Sequence, residues 1–461
     1  MKMTLSFVDV LVIVLYFGSV ILLGFKVAGK KKIYNKIEFI LDGRKLTLPL
    51  FVGTLVATWY GNILGVGEFV YNHGFVAWVC FGITYYIAAI LYSFLIAKKI
   101  RLTDSISIPE QIESRFGKRN SLISSMIVLV ITIPGAYILM LGVLLQLFTG
   151  WPLWISVIIG TSISVIYIIK GGFKSDVITN SFQFVIMYLG FGSFLVFTYL
   201  HYGSPFEMLK LLPVHYKEIF GGFSWMYVIS WVFIAFQTFV DPSFFQRCSA
   251  AISPKSAQKG ILISVAFWIL FDIMTLLTGL YAKAYISGIQ PVMAYPALAE
   301  IVLPNFWKGI FIVTLLATIM STLNSYAFLS ASTISNDILL KFKILSKFSI
   351  TYLTRLSLII TSVLGILLAL LLPSPIEIVF RTASIAVPGL ILPLTLSFFL
   401  RIRISNSMVT VIMCSSSLVS LALFLVQSSN FCPNILKELE PMLAGLIVSI
   451  MLTLPSLRIR H

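Results

Sequence analysis

Charge is what this sequence has least of. Only 11% of its 461 residues are charged, against about 25% in a soluble domain. Hydrophobic residues make up 59% and the mean hydropathy is +1.00, which excludes a soluble enzyme or carrier and marks a polytopic membrane protein. Acidic residues are scarcer still, 17 against 33 Lys and Arg, for a net charge of +16. That excess would suit nucleic acid, but the bases sit in short loops between apolar runs, so no nucleic-acid partner is expected. Cysteine is equally thin: Cys80, Cys248, Cys414 and Cys432 are isolated, lack metal-ligand spacing and read as core or surface residues. The four histidines (His73, His201, His215 and His461) fall in loops or at the terminus. With no intramembrane His pair, HExxH or GxSxG, an intramembrane enzyme is not expected. No GxxxxGK[ST] is present, so an ATP-driven pump would need a partner chain. The first apolar run lacks a strong basic leader and a small-residue cleavage site and is kept as a span. No output domain is expected after the last run, which argues against a sensor.

Long apolar runs fill the chain. A span needs about 20 apolar residues, and thirteen stretches qualify, near 6–26, 47–72, 75–98, 121–148, 153–170, 176–201, 223–249, 258–285, 308–338, 353–373, 376–400, 407–427 and 438–456. The side of the loops after odd-numbered spans, with KGGFK and the terminal RIRH, holds 26 of the 33 Lys and Arg. The other side has Lys2, Lys210, Lys217, Lys283, Lys308 and Lys437, and Arg381 falls inside a span. The basic side is expected to be cytoplasmic. The N-terminus is then outside and the C-terminus inside, in a plasma-type membrane such as a bacterial inner membrane. The longest external loops are near 202–222 and 286–307, and AYPALAEIVLP in the second suits a short helix over the outer mouth.

Two spans are interrupted. Gly61, Gly65 and Gly67 punctuate span two, and Asp241-Pro242 breaks span seven, where Pro removes a donor and disfavours helix in the preceding residue. Five spans separate the two starts. Breaks at corresponding positions of two halves point to an inverted-repeat transporter. Repeat one is then 47–201 and repeat two 223–400, with a peripheral helix and basic loop over 1–46 and two peripheral helices over 401–461. Span nine, FIVTLLATIMSTLNSYAFLSASTISNDI, is unusually rich in hydroxyls. Thr318, Ser321, Thr322 and Ser325 share one helix face. Such oxygens can ligate a desolvated small cation such as sodium, and the same small residues let helices pack closely and bond across an interface.

Ionisable residues inside spans cost about 2.5–3.5 kcal/mol on insertion scales and call for a reason. Asp272, mid-span eight, either tunes cation or proton coupling or bonds to a neighbouring helix. Asp241 sits at a helix break, where a cavity is expected, or caps that helix and pairs with Arg247. Glu68 and Arg381 are candidates for the outward vestibule, where Arg381 would hold an anionic solute. Asp9 is expected at the interface. Asp176 and Gln183 open span six, with Asp176 favouring the helix N-terminus. The aromatic content of 14% is mostly surface, packing and interfacial belt.

Four segments together resemble the sodium:solute symporter family: FILDGRKLTLP before span two, ILGVGEFVYNHG within it, FVDPSFFQRCSAAISPKSAQKG at the end of span seven, and ATIMSTLNSYAFLSASTISNDI in span nine. The resemblance covers nearly the whole chain. It implies an all-α membrane protein of about thirteen transmembrane helices with a LeuT-like 5+5 inverted repeat, importing a small polar solute with sodium by alternating access. Sodium is then the coupling ion and no organic cofactor is expected. The family pattern implies a sodium site from the carbonyls of Leu55, Thr58 and Thr318 and the hydroxyls of Ser321 and Thr322. It also implies solute contacts at Asn62 and Asp241, and Gln237 joins them by spacing. Ser243 stands where several relatives have an aromatic gate, and Ala57 lies near where some carry a carboxylate. The alternative on the same fold is a proton-coupled or uncoupled carrier using Asp272 or Asp241. One sodium ion is the default, and the solute's identity and the oligomeric state stay open.

Overall fold

The computed structural model describes residues 4–28, 35–372, 374–427 and 440–459. Lys2, Lys30, Lys31, Lys32, Cys432, Lys437, Arg460 and His461, with the expectations placed on them, lie outside the described residues.

Apolar runs between capping residues make the chain almost wholly helical. Helix α1 is Phe7–Ala28. The broken pair α2 (Leu48–Trp59) and α3 (Ile63–His73) follows, bent by 58°. Helix α4 (Val76–Leu102) contains two wider π-type stretches. Helices α5 (Ile108–Thr132) and α6 (Gly135–Thr149) part at Ile133-Pro134. Helices α7 (Leu153–Val165) and α8 (Ile168–Tyr202) complete the first half. The second half opens with another broken pair, α9 (Trp225–Val240) and α10 (Pro242–Ala250), bent by 42°. It continues with α11 (Pro254–Tyr285), the short α12 (Ala294–Val302), α13 (Trp307–Ser332), α14 (Ile350–Leu371) and α15 (Pro375–Ser397). Helices α16 (Asn406–Gln427) and α17 (Pro441–Thr453) follow. Ser107, Ser253 and Ser349 start α5, α11 and α14 by accepting the amides of Glu110, Ser256 and Tyr352, which satisfies donors the first turn leaves free.

Among the described residues eight helices are long and apolar enough to cross a membrane, or ten with each bent pair taken as one. Shorter apolar helices stand at Leu153–Val165, Arg381–Ser397 and Pro441–Ser456, where the sequence places spans five, eleven and thirteen. A total of thirteen crossings therefore depends on those three. AYPALAEIVLP does form a short helix, α12, but it is an integral packing element: Tyr295 is buried and its hydroxyl donates to the Thr275 carbonyl of α11 at 3.0 Å.

Close approach between elements is purchased with glycine. Gly172 (φ 59°, ψ −145°) breaks α8 after its first turn, and a Cβ there would lie 2.7 Å from the Phe39 carbonyl oxygen, so only glycine fits without strain. Basic-loop segments from distant parts of the chain also meet. A two-residue strand β1 (Ile402–Arg403) pairs antiparallel with β2 (Arg458–Ile459). Leu46 forms a parallel bridge with Ala251, and Arg44 donates to the carbonyls of Thr103 and Asp104.

Asp9, in the first turn of α1, is bonded to another helix. It is fully buried, and its Oδ1 accepts the amides of Phe306 and Gly309 at 2.8 Å each. A carboxylate there satisfies free N–H groups at the start of α13 and complements its dipole, tying α1 to the hydroxyl-rich helix. The sequence marks the carboxylate but not its partner, which lies far along the chain.

Candidate functional site

The site begins where α2 ends. A helix leaves its last four carbonyls without intrahelical partners, and α2 stops at Trp59 because Tyr60, Gly61 and Asn62 turn out of the helix before α3. Helix α13 presses on this turn so closely that a Cβ on Gly61 would sit 2.6 Å from Thr322 Cβ. The freed carbonyls meet the hydroxyl face of α13. Ser321 Oγ donates to Ala57 O at 2.7 Å and contacts Thr318 O at 2.9 Å. Thr322 Oγ1 donates to Thr58 O at 2.8 Å, with Thr318 O at 3.4 Å. Five oxygens converge on fully or almost fully buried residues. Thr58, Thr318, Ser321 and Thr322 are thus brought together as the sequence suggests, whereas Leu55 is not. Leu55 lies a turn back inside regular helix, where its carbonyl is used within α2, and the carbonyl facing Ser321 belongs to Ala57. The register is shifted because the helix runs to Trp59 before it breaks.

The second break lies opposite. Helix α9 tightens to 3-10 geometry over Phe236–Val240, and Asp241 leaves the helix with Pro242 as the first residue of α10. Pro suits that position because its missing N–H is not needed there. Asp241 Oδ1 caps α10 by accepting Ser243 N at 2.7 Å and Phe244 N at 3.4 Å, while Oδ2 accepts the Tyr326 hydroxyl at 2.9 Å. The expected capping role is present; the expected partner Arg247 is engaged elsewhere.

Between the two breaks lies a cavity of about 190 Å³. Asn62, Gln237 and Asp241 all line it, as do Trp59, Tyr85, Tyr137 and Tyr326. The Gln237 amide donates to the Tyr85 hydroxyl at 2.7 Å, and Asn62 Oδ1 is buried without a hydrogen-bond partner among the described residues. Asp272 also lines the cavity, accepting the Tyr60 hydroxyl at 2.9 Å and a short bond from the Tyr86 hydroxyl. It is therefore bonded to neighbouring helices and exposed to the cavity at once. Ser243 lines the cavity, while Phe244 packs edge-on against Trp59 at 5.9 Å. Two expected vestibule residues are not part of the cavity lining. Glu68 is half-buried within α3, and the Arg381 guanidinium lies 4.4 Å from the Phe424 ring centroid.

Directly beneath the oxygen cluster is a polar knot that sequence reasoning missed. Arg247 of α10 is fully buried and lies 3.6 Å from the buried Asp176 carboxylate of α8. Its guanidinium donates to Thr54, Thr58 and Ser325 hydroxyls at 3.0, 2.7 and 2.9 Å. Ser325, one turn beyond Ser321 on α13, donates to Asp176 Oδ2 at 2.8 Å, and the Asn180 amide donates to Ser325 at 2.9 Å. Asp176 is thus a core group rather than a helix-end decoration. The signal that could have found it is the polar stripe Asp176, Thr179, Asn180 and Gln183 at helical spacing, all buried, the same pattern that marks α13.

Two helices broken near their middles, set at corresponding positions of two halves with a polar cavity between them, define an inverted-repeat membrane transporter. The fold agrees with that of a substrate-bound, outward-open Na+-coupled sialic acid symporter, with a TM-score of 0.79 at 15% identity over 97% of this chain and 98% of that one. The profile of the Sodium:solute symporter family matches residues 39–413, and the chain belongs to that family; it is a transporter, not an enzyme. It is 24% identical over 381 residues to the osmoregulated proline transporter OpuE of Bacillus subtilis (strain 168), covering 77% of this chain and 76% of that protein. It is 25% identical over 371 residues to the sodium/pantothenate symporter of Escherichia coli (strain K12), with the same coverage of each.

Proposed function

We propose that this protein imports a small polar solute with sodium by alternating access. Sodium would sit between the α2–α3 break and α13, and the solute in the adjoining cavity. The observation that carries the reading is the convergence of Ser321 and Thr322 hydroxyls on the Ala57, Thr58 and Thr318 carbonyls. Oxygen-only donor sets suit a hard cation. Rotating the two hydroxyl hydrogens aside leaves five oxygens free to replace a hydration shell, while the site stays closed to bulk water.

Coupling follows from adjacency. Thr58 contributes its carbonyl to the oxygen set and lines the cavity, so an ion at the break would rigidify one wall of the solute site. The solute contacts assigned by this reading are Asn62, Gln237 and Asp241. The transport unit comprises repeats 47–201 and 223–400 with flanking helices, set in the cell membrane with the N-terminus outside and the C-terminus cytoplasmic. The meeting of basic loops through β1–β2 and Leu46–Ala251 supports one common basic end.

The test is thermal stability of the purified protein titrated with sodium, potassium or lithium chloride at fixed ionic strength, beside Ser321→Ala/Thr322→Ala. A ligand of the native state stabilises it by RT ln(1 + [L]/Kd). Sodium should raise Tm, potassium should not, and the double variant should lose the response. Equal effects of sodium and potassium in both proteins would overturn the site and leave a proton-coupled or uncoupled carrier on this fold.

A further inference from the structure

We infer that the solute carries a positively charged nitrogen, countered by Asp272 within the aromatic-walled cavity. The inference rests on the transport reading above and names the chemistry of its cargo. It starts from the charge of the cavity. Two carboxylates, Asp241 and Asp272, line it, and among the described residues no Lys, Arg or His does.

The two acids are not equivalent. Asp241 is accounted for locally, since it caps the nine-residue helix α10 and accepts the Tyr326 hydroxyl. Asp272 lies within α11, away from either end. Its partners are the hydroxyls of Tyr60 and Tyr86, and among the described residues no basic side chain forms an ion pair with it. Arg247, the fully buried base, is already held by Asp176. A carboxylate offers about four lone-pair sites, so two tyrosine bonds fix its orientation and leave acceptor capacity for the cavity.

The walls suit the same cargo. Trp59, Trp78, Phe81 and Tyr85 line the cavity, with Trp59 and Tyr85 edge-to-face at 5.1 Å. Aromatic faces attract an ammonium group through the ring quadrupole, and more strongly where water is excluded. Asn62 Oδ1, buried and without a hydrogen-bond partner among the described residues, adds another acceptor for an N–H or O–H on the solute. An anionic solute would meet two acids and no base in a low-dielectric space, which disfavours it strongly. The exclusion works against anions and the attraction for cations, which is how a site gains discrimination.

The experiment measures Tm of the purified full-length protein in sodium chloride with four probes: choline, n-propylammonium, the uncharged carbon isostere of choline, and propionate. The expected result is stabilisation by the two cations and none by the isostere or propionate. Asp272→Asn should raise the apparent Kd for the cations by about 30-fold or more, since removing one partner of a buried charge pair is costly. Stabilisation by propionate or by the isostere equal to that by the cations, no stabilisation by either cation, or an undiminished cation response in Asp272→Asn would each overturn the inference. If Asp272→Asn does not fold, the order of the four probes on the wild type decides alone. The wild-type sodium titration without organic probe keeps the two readings separable. A sodium response without a cation response defeats this inference only, and a cation response without a sodium response defeats the sodium site only.

Discussion

Replacing Asp176 by Asn should destabilise the protein far more than replacing Asp176 and Arg247 together by apolar residues. The two charged groups are 3.6 Å apart with side chains 1% and 0% exposed. At that distance, with an effective dielectric constant near 20, their attraction is about 5 kcal/mol. Desolvation of two buried ions costs several kcal/mol each, so the pair as a whole contributes little net stability. Asp176→Asn removes the attraction and leaves the guanidinium buried, for an expected loss of about 3–5 kcal/mol. The hydroxyls of Thr54, Thr58 and Ser325 still accept from Arg247, which places the loss toward the lower end. Arg247→Met should cost less, because a buried aspartate can take up a proton and a guanidinium cannot lose one. Asp176→Leu/Arg247→Met should recover most of the stability, with a coupling of at least ~2 kcal/mol in the cycle. The assay is thermal unfolding of Asp176→Asn and of the cycle made by the wild type, Asp176→Leu, Arg247→Met and Asp176→Leu/Arg247→Met, in one detergent at one heating rate. A neutral Asp176→Asn, or a double variant whose loss equals the sum of the singles, would refute the reasoning.

Two further outcomes follow from close contacts. Gly61→Ala places a methyl group 2.6 Å from Thr322 Cβ; it should cost about 1–3 kcal/mol by overpacking and abolish the sodium-dependent rise in Tm, checked by the same salt titration. Asp9→Ala leaves the Phe306 and Gly309 amides unpaired and should lower stability by about 0.5–2 kcal/mol, read by thermal unfolding, with the largest gain in hydrogen exchange at the first turn of α13.

What could be read from the sequence was what local pattern encodes. The hydroxyl face of α13 follows from a period of three and four, and both broken helices follow from Gly61 and Asp241-Pro242. Their common cavity follows from the breaks, so Asn62, Gln237 and Asp241 were all placed on it. What failed was partner choice across the chain. Arg247 bonds Asp176 rather than Asp241 because its long side chain reaches past the hydroxyls of Thr54, Thr58 and Ser325 to α8, and nothing near either residue encodes that approach. Arg381 stacks on Phe424 of α16, a helix outside both repeats. The carbonyls that meet the hydroxyl face belong to Ala57 and Thr58 and not to Leu55, because a helix's last turn is not fixed by its composition. Asp9 showed that the insertion cost of a charge signals a partner without naming it.

The hold of α1 on the rest has a practical side. Asp9 secures the start of α13, and Tyr16 sits between α8 and α13, accepting from the Gln183 amide at 2.9 Å and contacting Met320 sulfur at 3.7 Å. A helix that sequence symmetry leaves outside the repeats therefore braces the hydroxyl-rich helix along two levels. Anyone trimming this scaffold to a minimal ten-helix carrier, or splicing it into a chimera, should keep residues 7–28 with their own α13, since a borrowed first helix would arrive without the matching socket.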